Sequence, residues 1–172
     1  MIVSPKREPK RIVFPEASNP NLLRALQIIV DEGIATPILL GRADEIAAEC
    51  ERQDLDLMGR GVTIINPRES DRFSSYVDQF YQLRQRKGVT MNTARTTIRK
   101  SNYFGMMMVK NGHADGLVSG LKLTFPETIR PALQILGLKP GVKVATGMYM
   151  MVLKASVKFF ADASINIDPD AD

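Results

Sequence analysis

The sequence is poor in the residues that most chemistries need. It holds one cysteine and one histidine in 172 residues. Cys50 has no partner for an internal disulfide, so a reducing, cytoplasmic compartment is expected. With Cys50 and His113 alone, a His/Cys metal cluster or a Cys-His nucleophilic pair has no basis, and no resident metal is expected. His113 reads as structural or solvent-facing. Neither Gly-x-x-x-x-Gly-Lys-Ser/Thr nor Gly-x-Gly-x-x-Gly occurs, so this chain carries no ATP loop and no dinucleotide fingerprint. No run reaches the ~18 consecutive apolar residues of a membrane span, and no basic start leads into an apolar signal run. A soluble chain without a membrane partner is expected.

Acidic residues are missing from one long stretch. Between Asp78 and Asp115 there is none, while Arg84, Arg86, Lys87, Arg95, Arg99, Lys100 and Lys110 all fall there, although the net charge is only +4. Such a field favours an anionic partner. A small phosphorylated ligand and a solvated helical face both fit it. Nucleic acid fits least, because no aromatic interleaving or known motif accompanies the charge.

Composition is otherwise ordinary for a globular chain, with 44% hydrophobic and 24% charged residues. Residues 1–10, rich in Lys, Arg and Pro, read as a linker. Arg11 to Pro15 is a short apolar strand, and Asn19-Pro20 opens a helix that Gly33 stops. Thr36 to Leu40 is a strand, Asp44 to Gln53 a helix and Gly61 to Ile65 a third strand. This alternation predicts an α/β fold of three layers, helices on both faces of a mainly parallel sheet. From Ser70 to Asn111 the pattern is helical throughout: one helix through Phe73, Tyr76, Phe80 and Arg84, a second capped by Thr90, a third capped by Asn102. The methionines of the third read as core packing, and Gly105 marks a close helix contact.

Residues 11–140 form the α/β lobe in this reading, and 141–172 begin a second. There, Val142 to Leu153 and Val157 to Ile167 are strands joined tightly enough for a hairpin. Asp168-Pro169 resembles a helix start that ends within one turn at Asp172, so a truncated second lobe is expected. Asp162, Asp168, Asp170 and Asp172 fit caps, turns and a terminus better than a hard-cation site.

The stretch from Ala114 to Leu136 organises the rest. Gly116 to Val118 reads as a buried strand, Ser119-Gly120 as a turn, and a helix follows whose first turns carry Thr128 and Arg130. Glycine lets backbone amides approach an anion, and a helix N-terminus adds unpaired N–H groups. Arg84 ends a helix before the Lys87-Gly88 turn. Arginine's fixed, always charged fork suits phosphate oxygens, although surface ion pairs would also use it.

The wording Ala-Asp-Gly-Leu-Val-Ser-Gly, followed by Thr-Ile-Arg-Pro-Ala-Leu-Gln, resembles the phosphotransacetylase family (phosphate acetyl/butyryltransferases). Arg11 to Glu16, Gly33 to Gly41, Lys87 to Thr90 and Phe160 to Pro169 resemble the same family in the same order. The resemblance implies acyl transfer between acetyl phosphate and coenzyme A. It also implies that Arg84 and Arg130 hold coenzyme A or the acyl phosphate, with Ser119, Gly120 and Thr128 in the matching loop and helix start. The Asp acting on the thiol and the Ser supporting the transition state would belong to a later part of the family's domain, so this chain alone is expected to bind without turnover. Two wordings depart from active transferases: Lys122-Leu-Thr-Phe-Pro126 and Ala145-Thr-Gly-Met-Tyr-Met150. Both resemble the phosphotransacetylase-like C-terminal domain of bacterial malic enzymes. They imply a homo-oligomeric domain sensing acetyl-CoA, beside another domain that would use NADP and a divalent metal to oxidise malate. A phosphate acetyltransferase and a ligand-free assembly module are the alternatives.

Overall fold

The computed structural model describes residues 9–163 and 165–166. Most of the expected linker, the helix start at Asp168-Pro169 and the aspartates 168, 170 and 172 lie outside the described residues. The chain divides into two compact units, Met1–Leu136 and Gly137–Asp172.

The first unit is an α/β layer structure. Four parallel strands, β1 (Lys10–Phe14), β2 (Ala35–Leu40), β3 (Thr63–Ile65) and β4 (Gly116–Leu117), pair in the order β3-β2-β1-β4. Six helices accompany them: α1 (Pro20–Asp31), α2 (Ala43–Arg52), α3 (Phe73–Arg84), α4 (Met91–Ile98), α5 (Ser101–Lys110) and α6 (Phe125–Ile135). Side chains alternate across a strand, so neighbours in β1 and β2 feed opposite cores. Phe14 and Leu39 pack with Leu23 and Leu26 of α1 and Ile46 of α2. Val13, Ile38 and Leu40 pack with Tyr76 and Phe80 of α3, Ile98 of α4, Phe104 and Met107 of α5 and Ile135 of α6. The three expected layers are therefore present.

Local signals set several boundaries. The Asn19 side chain accepts from the Asn21 amide with Pro20 opening α1, and Thr90 accepts from the Thr93 amide at the start of α4. Asn102 is not a cap: α5 begins at Ser101 after Lys100, and Asn102 lies inside it with a buried side chain used elsewhere. The methionines of α5 are core, with Met107 and Met108 almost fully buried. Gly105 marks a close contact with the sheet rather than with another helix. A Cβ there would come within 2.8 Å of Leu117 and 2.9 Å of Val13, so only glycine lets α5 lie this close.

Arg11 and Asp115 lock β4 to β1 at the strands' N-terminal ends. The Arg11 guanidinium donates to both Asp115 carboxylate oxygens at 2.9 and 3.2 Å, and the Arg11 amide donates to Oδ2 at 2.8 Å. These bonds hold the Asp115 carboxyl well below its ordinary range, at about 2.

The second unit is an antiparallel hairpin, β5 (Met148–Val152) with β6 (Val157–Ala161), as its tight connection predicted. Both strands are shorter than expected. Pairing ends at Met148↔Ala161; the Asp162 amide still donates to the Gly147 carbonyl, but Asp162 takes a positive φ of 52° and its carboxylate accepts from the Asn166 side chain.

Candidate functional site

A cleft of about 380 Å³ opens where β1 and β4 end. The chain lays β2 and β3 on one side of β1, then crosses to place β4 on the other, so neighbouring strand ends send their loops apart at this point. In open parallel sheets that is where ligands bind. Glu16 from the β1 loop, Lys122 from the β4–α6 loop, Lys100 and Tyr103 around the start of α5, and Arg130 from α6 all line it.

The loop after β4 reads as an anion cradle in the sequence, and it is one, but its anion is the protein's own. The Glu16 carboxylate accepts from the amides of Gly120 at 2.8 Å, Leu121 at 3.0 Å and Lys122 at 2.5 Å. The Ser119 hydroxyl lies 3.1 Å from Glu16 Oε2 and 3.2 Å from Asn102 Oδ1. Burial pushes the Glu16 carboxyl upward, but the three amides and the hydroxyl outweigh it and leave the group below its ordinary value. Ser119 and Gly120 thus serve Glu16, and the Gly120 amide and the Ser119 hydroxyl do not stand open.

Helix α6 starts earlier than Thr128. Thr124 is its N-cap, Pro126 sits in the first turn, and the Glu127 carboxylate accepts from the Thr124 amide at 2.9 Å and hydroxyl at 2.7 Å. The sequence carries this start as Thr-x-x-Glu. Thr128 therefore lies within the helix, its hydroxyl 3.3 Å from the Thr124 carbonyl, and does not line the cleft. Pro131 interrupts the backbone ladder because it has no N–H for the Glu127 carbonyl four residues before it. The Asn102 side-chain amide supplies the missing donor at 3.2 Å. Buried Asn102 thereby ties α5 to α6 and to the Ser119 turn.

Of the five residues singled out in the sequence, only Arg130 lines the cleft with its charge. Arg84 is not among the lining residues, and its Nε is buried without a hydrogen-bond partner among the described residues. Both arginines act electrostatically on Tyr103. Burial raises the Tyr103 phenol, while the charges of Arg130 and Arg84 pull it down. The phenol donates to Gln134 at 2.9 Å, and its ring stands edge-on to Phe80. Lys100, Lys122 and Arg130 form no salt bridge with a described residue. Glu127 feels Lys100 and Arg130, but its oxygen is committed to Thr124. The cleft thus brings together three cations without a salt bridge to a described residue, beside a Glu16 carboxylate already held by the loop, a setting for phosphate or carboxylate groups. Among the described residues no cluster of His, Cys, Asp and Glu could hold a metal ion, and no helix is long and apolar enough to cross a membrane.

Glu16, Asn102 and Tyr103 escaped the sequence reading. Lys100 was legible only as part of the basic run, and Glu16 only as an acid just past a strand. The pairing of Asn102 with Pro131 left no local signal.

Similar proteins place this geometry in a family. The phosphate acetyltransferase of Thermoanaerobacterium thermosaccharolyticum is 40% identical over 178 residues, covering 100% of this chain and 53% of that protein. The enzyme of the same name from Nitratidesulfovibrio vulgaris is 39% identical over 172 residues, covering 100% of this chain and 24% of its own length. The chain thus spans about half, or less, of these relatives. Among solved structures, EutD phosphotransacetylase from Staphylococcus aureus superposes with a TM-score of 0.82 at 34% identity, over 94% of this chain and 48% of that one. A phosphotransacetylase from Streptococcus pyogenes gives 0.83 at 38%, over 94% and 49%. These full-chain matches overturn the malic enzyme reading, and the oxidoreductase and NADP assignments fall with it. They lend no support to an inert fragment either, since the relatives are named for an activity. The misleading words run from the loop after β4 into the first residues of α6, and from the residues before β5 into that exposed strand. A family profile described as Phosphate acetyl/butaryl transferase matches residues 2–172, and the chain belongs to that family.

Proposed function

We propose that this chain works in acetyl transfer between acetyl phosphate and coenzyme A, and that the cleft at the end of β1 and β4 receives their phosphate groups. In that reaction the coenzyme A thiolate attacks the acyl carbonyl, the acyl–oxygen bond breaks, and inorganic phosphate leaves as the thioester forms. The observation that carries the reading is the set of cations Lys100, Lys122 and Arg130, which form no salt bridge with a described residue, in one cleft at the sheet's switch point.

Arg130 presents a fork to phosphate oxygens, whereas the two lysines supply point charges. Arg84 supports the site through Tyr103, which both arginines polarise. Ser119 and Gly120 shape the loop, and Thr128 belongs to the frame of α6. A self-associated assembly of the chain completes the reading. Thioester formation from acetyl phosphate and coenzyme A tests it: the protein is expected to produce acetyl-CoA and phosphate in equal amounts. Absence of thioester together with absence of coenzyme A binding would overturn it.

A further inference from the structure

We propose that Glu16 is a positioning residue for the anion cleft: by filling the amide nest of residues 120–122 it fixes the loop that brings Lys122 into the same cleft as Lys100 and Arg130. An ionised carboxylate has about four lone-pair sites and no donor. Here four donors meet it, the amides of Gly120, Leu121 and Lys122 and the Ser119 hydroxyl. Successive amides converge on one point only when the backbone turns sharply, and Gly120 has a φ of +122° with nothing within 4 Å of where a Cβ would stand. Glycine is used at that position for its backbone freedom.

Two consequences follow for a ligand. The backbone amides are already satisfied, so an incoming anion is left to the side chains. The charged groups that face Glu16 in the cleft are Lys100 just before α5, Lys122 of the loop, and Glu127 and Arg130 of α6. With Glu16 in place, the β1 loop holds the β4–α6 loop across 104 residues of sequence, and through Ser119 and Asn102 that hold reaches α6. Without the carboxylate the three amides would face one another unpaired, and the loop would lose the shape that aims Lys122.

The effect on the ligand rests on the function proposed above, whereas the effect on the loop does not, so the test has separate arms. In the ligand-free protein, hydrogen exchange of the Gly120, Leu121 and Lys122 amides should be slow. Glu16→Gln, which keeps the shape but loses the charge, should speed it by at least ~10-fold, and Glu16→Asp should restore part of the protection. In the wild type, acidification through the lowered Glu16 pKa should remove the same protection, which needs no variant to fold. Calorimetric affinity for coenzyme A should fall roughly 10- to 100-fold in Glu16→Gln and recover partly in Glu16→Asp, with melting temperatures reported alongside. Unchanged exchange in Glu16→Gln overturns the proposal. Unchanged or tighter coenzyme A binding also overturns it, tighter binding meaning that the nest is the ligand's own seat. Slow, Glu16-dependent exchange in a protein that binds no coenzyme A would leave the loop assignment standing and refute the proposed function alone.

Discussion

A single carboxylate shows how proton chemistry and fold meet in this chain. Asp115 is held at about 2 by the Arg11 guanidinium and amide, against 3.8 for an unperturbed aspartate. A group whose folded pKa is depressed contributes stability above its unfolded pKa and loses it as pH falls through the folded one. Asp115→Asn should therefore melt lower than the wild type at pH 7, and the gap should close between about pH 3.8 and about 2. Melting curves across that range check it, and a gap independent of pH would mean that the variant acts through packing. Arg11 and Asp115 lie on the far side of the sheet from the cleft, at the N-terminal strand ends, so affinity for ligands should not follow this titration. Residues of this kind divide sharply in how well the sequence announces them. Arg130 was legible because its helix wording is local, whereas Glu16 was not, because its partners lie 103 to 106 residues away. Thr128 lies inside α6 because the Thr124-x-x-Glu127 box, which sets the start of that helix, stands just before it.

At the scale of elements, a proline makes necessary one of the hydrogen bonds that join α5 to α6. Asn102 donates to the carbonyl of Glu127, which Pro131 leaves without its helical partner. Asn102→Ala should cost about 1–3 kcal/mol, because it strands a part-buried carbonyl. In a Pro131→Ala background the new backbone N–H can take that carbonyl, so the same change should cost less by more than ~0.5 kcal/mol. Denaturant unfolding of the four proteins completes the cycle, and an equal cost in both backgrounds would refute the coupling. The helices and strands themselves were largely legible from periodicity and caps, α3 to the residue and α4 by Thr90. Pairing between elements was less so, since Asn102 reads as a cap when seen only along the chain. The hairpin strands were overextended for a similar reason: apolar content continues past Ala161, but the ladder stops where Asp162 turns left-handed.

At the scale of the whole molecule, the two units carry different surfaces. The hairpin is apolar and exposed along both strands, with Met148 at 70%, Val152 at 72% and Phe159 at 63% exposure. Apolar strands with open edges pair with other strands when nothing blocks them. Sedimentation across the micromolar range should give a mass above that of a 19.1 kDa monomer, and Phe159→Lys should lower it. A monomer throughout would refute this. The first unit carries the cleft, whose cations Lys100, Lys122 and Arg130 are expected to take phosphate. Titration calorimetry with coenzyme A, run on wild type, Arg130→Ala and Arg130→Lys with melting curves alongside, tests this most directly. Saturable binding is expected, weakened roughly 10- to more than 100-fold by Arg130→Ala at an unchanged melting temperature and partly restored by Arg130→Lys. Equal affinity in a folded Arg130→Ala protein, or no binding by the wild type, would contradict it.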